Sequence, residues 1–251
     1  MEQYIEVKGE SLINAINYCK RGCLFFGEGN PYSKILIVGK EIGGNDDDKV
    51  RNSADVYLRR SYVDVRRNIE KWANVLGYPL SEISSYVFNH ERNPTWTNYQ
   101  KLVGRIIGRD LGCANYDFLK YCFITEMSDV HLPFSNYPKS LPHSERIKLE
   151  HLRQDSIGRR TELFRMEFFL KFPIVIMACG HYPRKFNFDI ESIFNVEWDG
   201  TTHVLSKGNF YNAHNASNKI LIHTRQMSRG VTKALINDIG TLCNSAFEFD
   251  I

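Results

Sequence analysis

FGEGNPYSKILIVGKEIGG, residues Phe26–Gly44, joins a short apolar run to a glycine-rich turn. Lys34–Val38 is dominated by β-branched residues, the composition of a strand buried on both faces. It passes without a break into Gly39-Lys40-Glu41-Ile42-Gly43-Gly44. Open α/β sheets place ligands at the carboxyl ends of parallel strands, where glycines allow tight backbone and close ligand approach. Glu41 sits inside that turn, and Asn45, Asp46, Asp47 and Asp48 follow at once. The spacing is not the G-x-G-x-x-G of a dinucleotide turn. Nor is it a phosphate loop, because no Gly-Lys-Ser/Thr follows. An ordinary strand and loop with solvated acids stays open as the plain alternative.

Upstream, Ser11–Lys20 carries apolar residues at helical intervals, with Ser11 as a cap. Downstream, Ser53–Leu76 predicts the clearest helix. Leu58, Tyr62, Val65, Ile69, Trp72 and Leu76 form one stripe, and Arg59, Arg60, Arg66 and Arg67 fall off it as a solvated flank. Gly77-Tyr78-Pro79 stops that helix. Asn93-Pro94 opens another, with Asn93 as cap and Pro94 at its first position. Trp96, Tyr99, Val103 and Ile106 make its stripe and read as core. Leu119–Thr125 is a second buried strand, followed by the polar run Glu126-Met127-Ser128-Asp129. A polar, proline-rich loop spans His131–His143, and Ser144–Leu170 is helical with a break expected near Gly158. Pro173–Gly180 is a third strand, closed by Gly180-His181-Tyr182-Pro183, and Thr202–Ser206 is a short one. Asn218–Thr224 is the last, delivering His223-Thr224-Arg225-Gln226-Met227-Ser228 into a final helix, Arg229–Leu242.

Strands and helices alternate, the pattern of a mostly parallel sheet covered on both faces. The expectation is one α/β domain over residues 1–251, three layers deep, around a mostly parallel four-stranded sheet. The 251 residues, 43% hydrophobic and 24% charged, suit a soluble globular chain. The net charge of +3 is compatible with nucleic acid without demanding it. The longest apolar run, Phe172–Cys179, is too short to span a bilayer. The acidic, mixed start MEQYIEVKGE is not a secretory signal, so the cytoplasm is the expected location. Six cysteines in such a chain do not suggest a disulfide framework, and several read as small buried hydrophobes. Cys19 and Cys23 have a loose metal-like spacing, but no second pair follows. No metal and no cofactor is therefore expected.

In a parallel sheet the carboxyl ends share one edge, so Glu41, Glu126, His181 and His223 should surround one cleft. Four segments reach that edge in order: FGEGNPYSKILIVGKEIGG, the strand ending in Thr125-Glu126, PIVIMACG, and HTRQMS. Together they resemble the uracil-DNA glycosylase superfamily. The first, with Cys19 and Cys23 just upstream, is similar to the opening segment of its iron–sulfur branch. The second resembles a strand ending in Thr-Asn, the third the strand before the last, and the fourth a His-Pro-Ser-x-Leu-Ser loop. The likeness runs in order from about Cys19 to Arg229.

The resemblance implies a glycosylase that cleaves the bond between a sugar and a flipped base. It implies that Glu41, or Asp46 if the register follows the iron–sulfur branch, is the acid that handles the attacking water. It makes His223 the stabiliser of negative charge on the departing base. Gly39, Thr125 and Glu126 would line the base. Met227 would be an apolar wedge in the duplex, Ser228 would hold a phosphate, and Arg225 and Arg229 would lie on the DNA. The partner implied is single- or double-stranded DNA, bound by a monomer. Several positions depart from the pattern. Glu126 stands where many members have asparagine, and an ionised carboxylate only accepts hydrogen bonds, which favours a base edge rich in N–H donors over uracil's mixed edge. Thr224 and Arg225 replace a proline and a serine, and the cysteine set is incomplete. A non-catalytic nucleic-acid binder of the same fold, or a small-molecule or nucleotide-binding α/β protein, are the alternatives.

Overall fold

The apolar run after Lys34 folds as β2 (Ile35–Glu41) in the computed structural model, which describes residues 2–41, 54–75, 94–112, 116–130 and 141–247. Asp46, the Gly77-Tyr78-Pro79 stop, the Asn93 cap and most of the His131–His143 loop lie outside the described residues. The other strands are β1 (Glu28–Gly29), β3 (Cys122–Ser128), β4 (Ile174–Met177), β5 (Glu197–Ser206), β6 (Asn209–Ala216) and β7 (Lys219–Thr224). They form one sheet in the order β1-β3-β2-β4-β7-β6-β5. Its centre, β3-β2-β4-β7, is parallel throughout, and these are the four strands expected from the apolar runs. The sheet is nevertheless larger than four strands. An antiparallel β1 extends one side, and the antiparallel ribbon β5-β6 extends the other.

Of the ribbon, the end of β5 matches the short strand expected at Thr202–Ser206, whereas the rest of it and β6 escape a reading based on apolar runs. β5 is almost wholly exposed, and β6 is interrupted by Asn209, Asn212, His214 and Asn215, so neither carries a hydrophobic run. The local signal lies instead in its two-residue turns, Lys207-Gly208 and Ser217-Asn218. Gly208 takes a φ of +74°, a conformation glycine adopts without strain.

Helices cover both faces of the central strands. In chain order they are α1 (Glu2–Gly22), α2 (Ala54–Val75), α3 (Pro94–Ile106), α4 (His143–Phe164), α5 (Glu167–Leu170), α6 (Tyr182–Lys185), α7 (Ile190–Phe194) and α8 (Lys233–Ala246). Strand alternation sends Leu36, Val38, Phe123, Val175, Met177 and Leu221 to one face, against residues of α1, α4, α5 and α7. It sends Ile35, Ile37, Ile124, Ile174, Ile176 and Ile222 to the other, against α3 and α8. The first face is rich in phenylalanine. Phe26 packs 5.1 Å from both Trp72 and Phe123, and Phe123 lies 5.4 Å from Phe168. Each such ring, fully buried, stabilises the fold by roughly 1.5–3 kcal/mol.

Several boundaries differ from expectation. α1 begins well before Ser11. A 3₁₀ turn takes Phe118–Lys120, so β3 starts at Cys122 and runs on to Ser128. α4 passes Gly158 unbroken and ends at Phe164, because a single glycine on an open helix face costs only about 1 kcal/mol. In α2, Val65, Ile69 and Trp72 are buried as the stripe requires, whereas Tyr62 is 57% exposed.

α2 clamps the segment leading into β1. Asn68 accepts from Phe26 N–H at 2.9 Å and donates to Gly27 C=O at 2.8 Å, and Trp72 Nε1 donates to the same carbonyl at 2.7 Å. All of these groups are buried. Replacing Asn68→Ala leaves Phe26 N–H buried and unpaired, so chemical denaturation should show a loss of roughly 2–3 kcal/mol at an unchanged m-value. A loss below about 0.5 kcal/mol would mean that the clamp contributes little.

Candidate functional site

The four parallel strands end on one edge. β2 and β3 pair there from Gly39 opposite Glu126 to Glu41 opposite Ser128, and Met177 of β4 pairs with His223 of β7. Glu41, the acid of the first turn, is the last residue of its strand. Because each strand alternates, neighbouring residues at this edge leave by opposite faces.

Gly39 and Glu126 share the face covered by α3 and α8. The Glu126 carboxylate rests on Gly39 so closely that a methyl group at position 39 would overlap it. A side chain at position 39 would therefore push the Glu126 carboxylate aside from this place. Glu126 is half-buried. Tyr99 of α3 is buried on the same side. Its hydroxyl is held well above its ordinary pKa, first by burial and then by the Glu126 charge. This arrangement offers a fixed carboxylate acceptor on a strand with no side chain beneath it.

Thr125 leaves by the opposite face, so Thr125 and Glu126, expected to line a base together, are split between the two faces. Thr125 is fully buried, and its hydroxyl accepts from Arg160 Nη2 at 2.5 Å. Arg160 of α4 is itself fully buried. Its Nη1 donates to Phe25 C=O at 2.6 Å and to Asp129 Oδ1 at 2.9 Å, and its guanidinium lies 5.3 Å from the Phe164 ring centre. Asp129 Oδ1 also accepts from Phe25 N–H at 2.9 Å. Its Oδ2 accepts from Ser156 at 3.1 Å, and Ser156 in turn accepts from Asp129 N–H at 2.8 Å. The network ties the end of β3 to α4 and to the segment before β1. Sequence reasoning missed Arg160. The available signal was its spacing with Ser156, Ile157, Leu163 and Phe164 on the buried side of α4.

His223 shares the face of Met177, opposite to that of Glu126, and its strand lies two places beyond β2. Three strand spacings of about 4.8 Å separate β3 from β7. One ring nitrogen, Nε2, lies 2.7 Å from Gly180 C=O and can only donate to it. Nδ1 then accepts from Asn212 Nδ2 at 3.3 Å. Burial lowers its pKa, the bond to Gly180 opposes that shift, and His214 adds to it, so the ring is a neutral donor near pH 7. His181, beyond β4, also has a lowered pKa, first from burial and then from Lys40 and Lys185. Lys40 is buried over the Tyr182 ring, 4.6 Å from its centre. The structure thus brings Gly39 and Glu126 together and sets His223 apart from them.

The loop after β7 is rigidly braced. Arg225 donates to the carbonyls of Arg229 at 2.8 Å and Gly230 at 3.1 Å, and Asn98 of α3 donates to those of Met227 and Ser228. Arg225 is thereby a loop strut, and Arg229 is exposed. Met227, expected as a surface wedge, is fully buried in the core beneath α3 and α8. Ser228 does not cap the last helix either. That helix starts at Lys233 rather than Arg229, and Thr232 caps it by accepting from Leu235 N–H at 3.3 Å. The cause is a longer loop than apolar spacing suggests, closed by Gly230 at φ +83°.

Cys19 lies in the core, where burial pushes its thiol up to about 12, and Cys23 is exposed. Among the described residues no group of three His, Cys, Asp or Glu side chains converges as a metal site. No family model matches this chain, and no curated protein does.

Removing Arg160 while keeping its bulk, Arg160→Met, leaves Asp129 buried without its counter-charge. Denaturation should show a loss of roughly 3–5 kcal/mol, and a change under about 1 kcal/mol would contradict the network. A second expectation concerns pH. His223 binds its proton less readily folded than unfolded, so it contributes stability that is present above its unfolded pKa of about 6.5 and lost as pH falls through the lowered folded value. His223→Gln should flatten the loss of stability below about pH 6.5. Identical pH profiles for wild type and variant would show that His223 does not titrate as described.

Proposed function

We propose that this chain is a DNA glycosylase-like hydrolase that cleaves the N-glycosidic bond of a flipped base, one whose edge is rich in N–H donors. The observation that supports it is the Glu126 carboxylate, seated on Gly39 at the carboxyl edge of the parallel strands, beside the strand that ends in Glu41. An acceptor-only group at that place selects a base that donates twice along one edge and disfavours uracil, whose edge mixes donor and acceptors. In this reading Glu41 or Asp46 supplies the charge that handles water beneath a cation-like sugar. Extruding the base costs a few kcal/mol, least where it is damaged or mismatched. His223 reaches the departing base only if its Nε2–H exchanges Gly180 for the base oxygen. The same reading takes residues 1–251 as one three-layer domain, working as a monomer on DNA in the cytoplasm in base-excision repair. No described helix is long and apolar enough to cross a membrane.

A second reading, a non-catalytic nucleic-acid binder with the same sheet, draws support from His223, since both of its ring nitrogens are already engaged within the fold. A panel of single- and double-stranded oligonucleotides, each with one modified base, separates the two. The proposal expects base release from at least one donor-rich base. It also expects a loss of about 10²-fold or more in Glu41→Gln and a shift of preference toward uracil in Glu126→Gln. Tight DNA binding with no base released from any member of the panel would leave the binder.

A further inference from the structure

We infer that the groove between α3 and α8 is a separate seat for nucleic acid, one that grips the sugar–phosphate backbone without reading sequence. The groove encloses about 670 Å³ on the side of the sheet away from His223. Lys101, Arg105, Arg109 and Lys233 line it, and Asp110 is the one acid among the described residues that line it. All four cations are exposed. Asp110 is turned toward its own loop, where its carboxylate accepts from Gly112 N–H at 2.9 Å. Lys101 and Arg105 stand one helical turn apart, a rise of about 6 Å, and Arg109 joins them in the lining from the turn after α3.

One of the cations, Arg105, is braced before any ligand arrives, and Arg109 stands beside an aromatic ring. Arg105 lies flat across Gly240 of α8, where a methyl group would come within 2.6 Å of its Cβ, and its Nη2 donates to Thr241 at 3.3 Å. The Arg109 guanidinium lies 6.0 Å from the Tyr121 ring centre. Ordering long side chains in advance lowers the entropy cost of binding. Gly104 forms part of the floor, and a side chain there would strike Arg109 C=O at 2.7 Å. An open row of positive charge along a groove partly floored by glycine suits a chain of phosphates better than one small anion. At its upper end Asn98, Val231 and Lys233 carry the groove to the loop Arg225–Gly230. The choice of nucleic acid over other polyanions rests on the functional reading above. The charge and shape of the groove do not.

The test uses the full chain and unmodified oligonucleotides, so its readout is binding and not chemistry. Lys101→Gln, Arg109→Gln and Lys233→Gln are combined, and Arg105 is spared because it packs against α8. Fluorescence anisotropy from about 50 to 200 mM salt should show a Kd roughly tenfold or more weaker for the triple variant. The slope of log K against log salt should fall by about two to three, near 0.9 for each duplex phosphate that is no longer neutralised. The charge-keeping variant Lys101→Arg, Arg109→Lys, Lys233→Arg should bind as wild type does, and unchanged melting temperatures show that both fold. Equal Kd and slope in wild type and triple variant would overturn the inference, as would heparin binding as tightly as DNA with the same sensitivity. Groove-dependent binding without release of any base would remove the catalytic reading and leave the groove. Base release with groove-independent binding would do the reverse.

Discussion

The strict two-residue period of strands buried on both faces governs this molecule. Ile35, Leu36, Ile37 and Val38 are all fully buried, so β2 has no solvent side and cannot slip by one residue without exchanging its two cores. That constraint locks the registers of β3, β4 and β7, and with them the direction in which every residue leaves the carboxyl edge. Gly39 and Glu126 emerge together toward α3 and α8. Lys40, Thr125 and His223 emerge on the other side. The edge therefore carries two chemical environments, an acceptor carboxylate on one side and buried cations with neutral imidazoles on the other.

The Arg160–Asp129 pair holds one corner of this arrangement. Two charges taken out of water cost much of what their attraction returns, so such a pair contributes little net stability compared with an apolar replacement. What it does is geometric. Six hydrogen bonds converge on Asp129 and Arg160 from β3, α4 and the segment before β1, and they leave the end of β3 one position. Glu126 sits one residue beyond Thr125 in that same strand, so its carboxylate inherits the precision.

Much of the frame is legible in the chain. KILIV, LKYCFIT, PIVIMACG and NKILIHT mark the four central strands because a strand buried on both faces must be apolar throughout. Val65, Ile69 and Trp72 mark the packed side of α2 by the helical period. Of the ribbon only Thr202–Ser206 of the exposed β5 was legible, and β6, interrupted by asparagines and a histidine, has no apolar run to read. Met227 shows the opposite limit. A methionine in a polar loop looks like a surface group, yet this loop folds back over the sheet and buries it.

The four parallel central strands were thus settled by local pattern, because period and composition act over a few residues, whereas Gly39, Lys40 and Glu41, read as a turn after the first of them, are its last residues. Which side chains meet was decided only by the fold. Asp129 and Arg160 lie 31 positions apart, Asn98 and Ser228 lie 130 apart, and Gly180 and His223 lie 43 apart. No periodicity spans such distances. Only the packing of helices on a sheet of fixed register turns them into neighbours, and the same packing parts Glu126 from His223, which order along the chain had placed around one cleft.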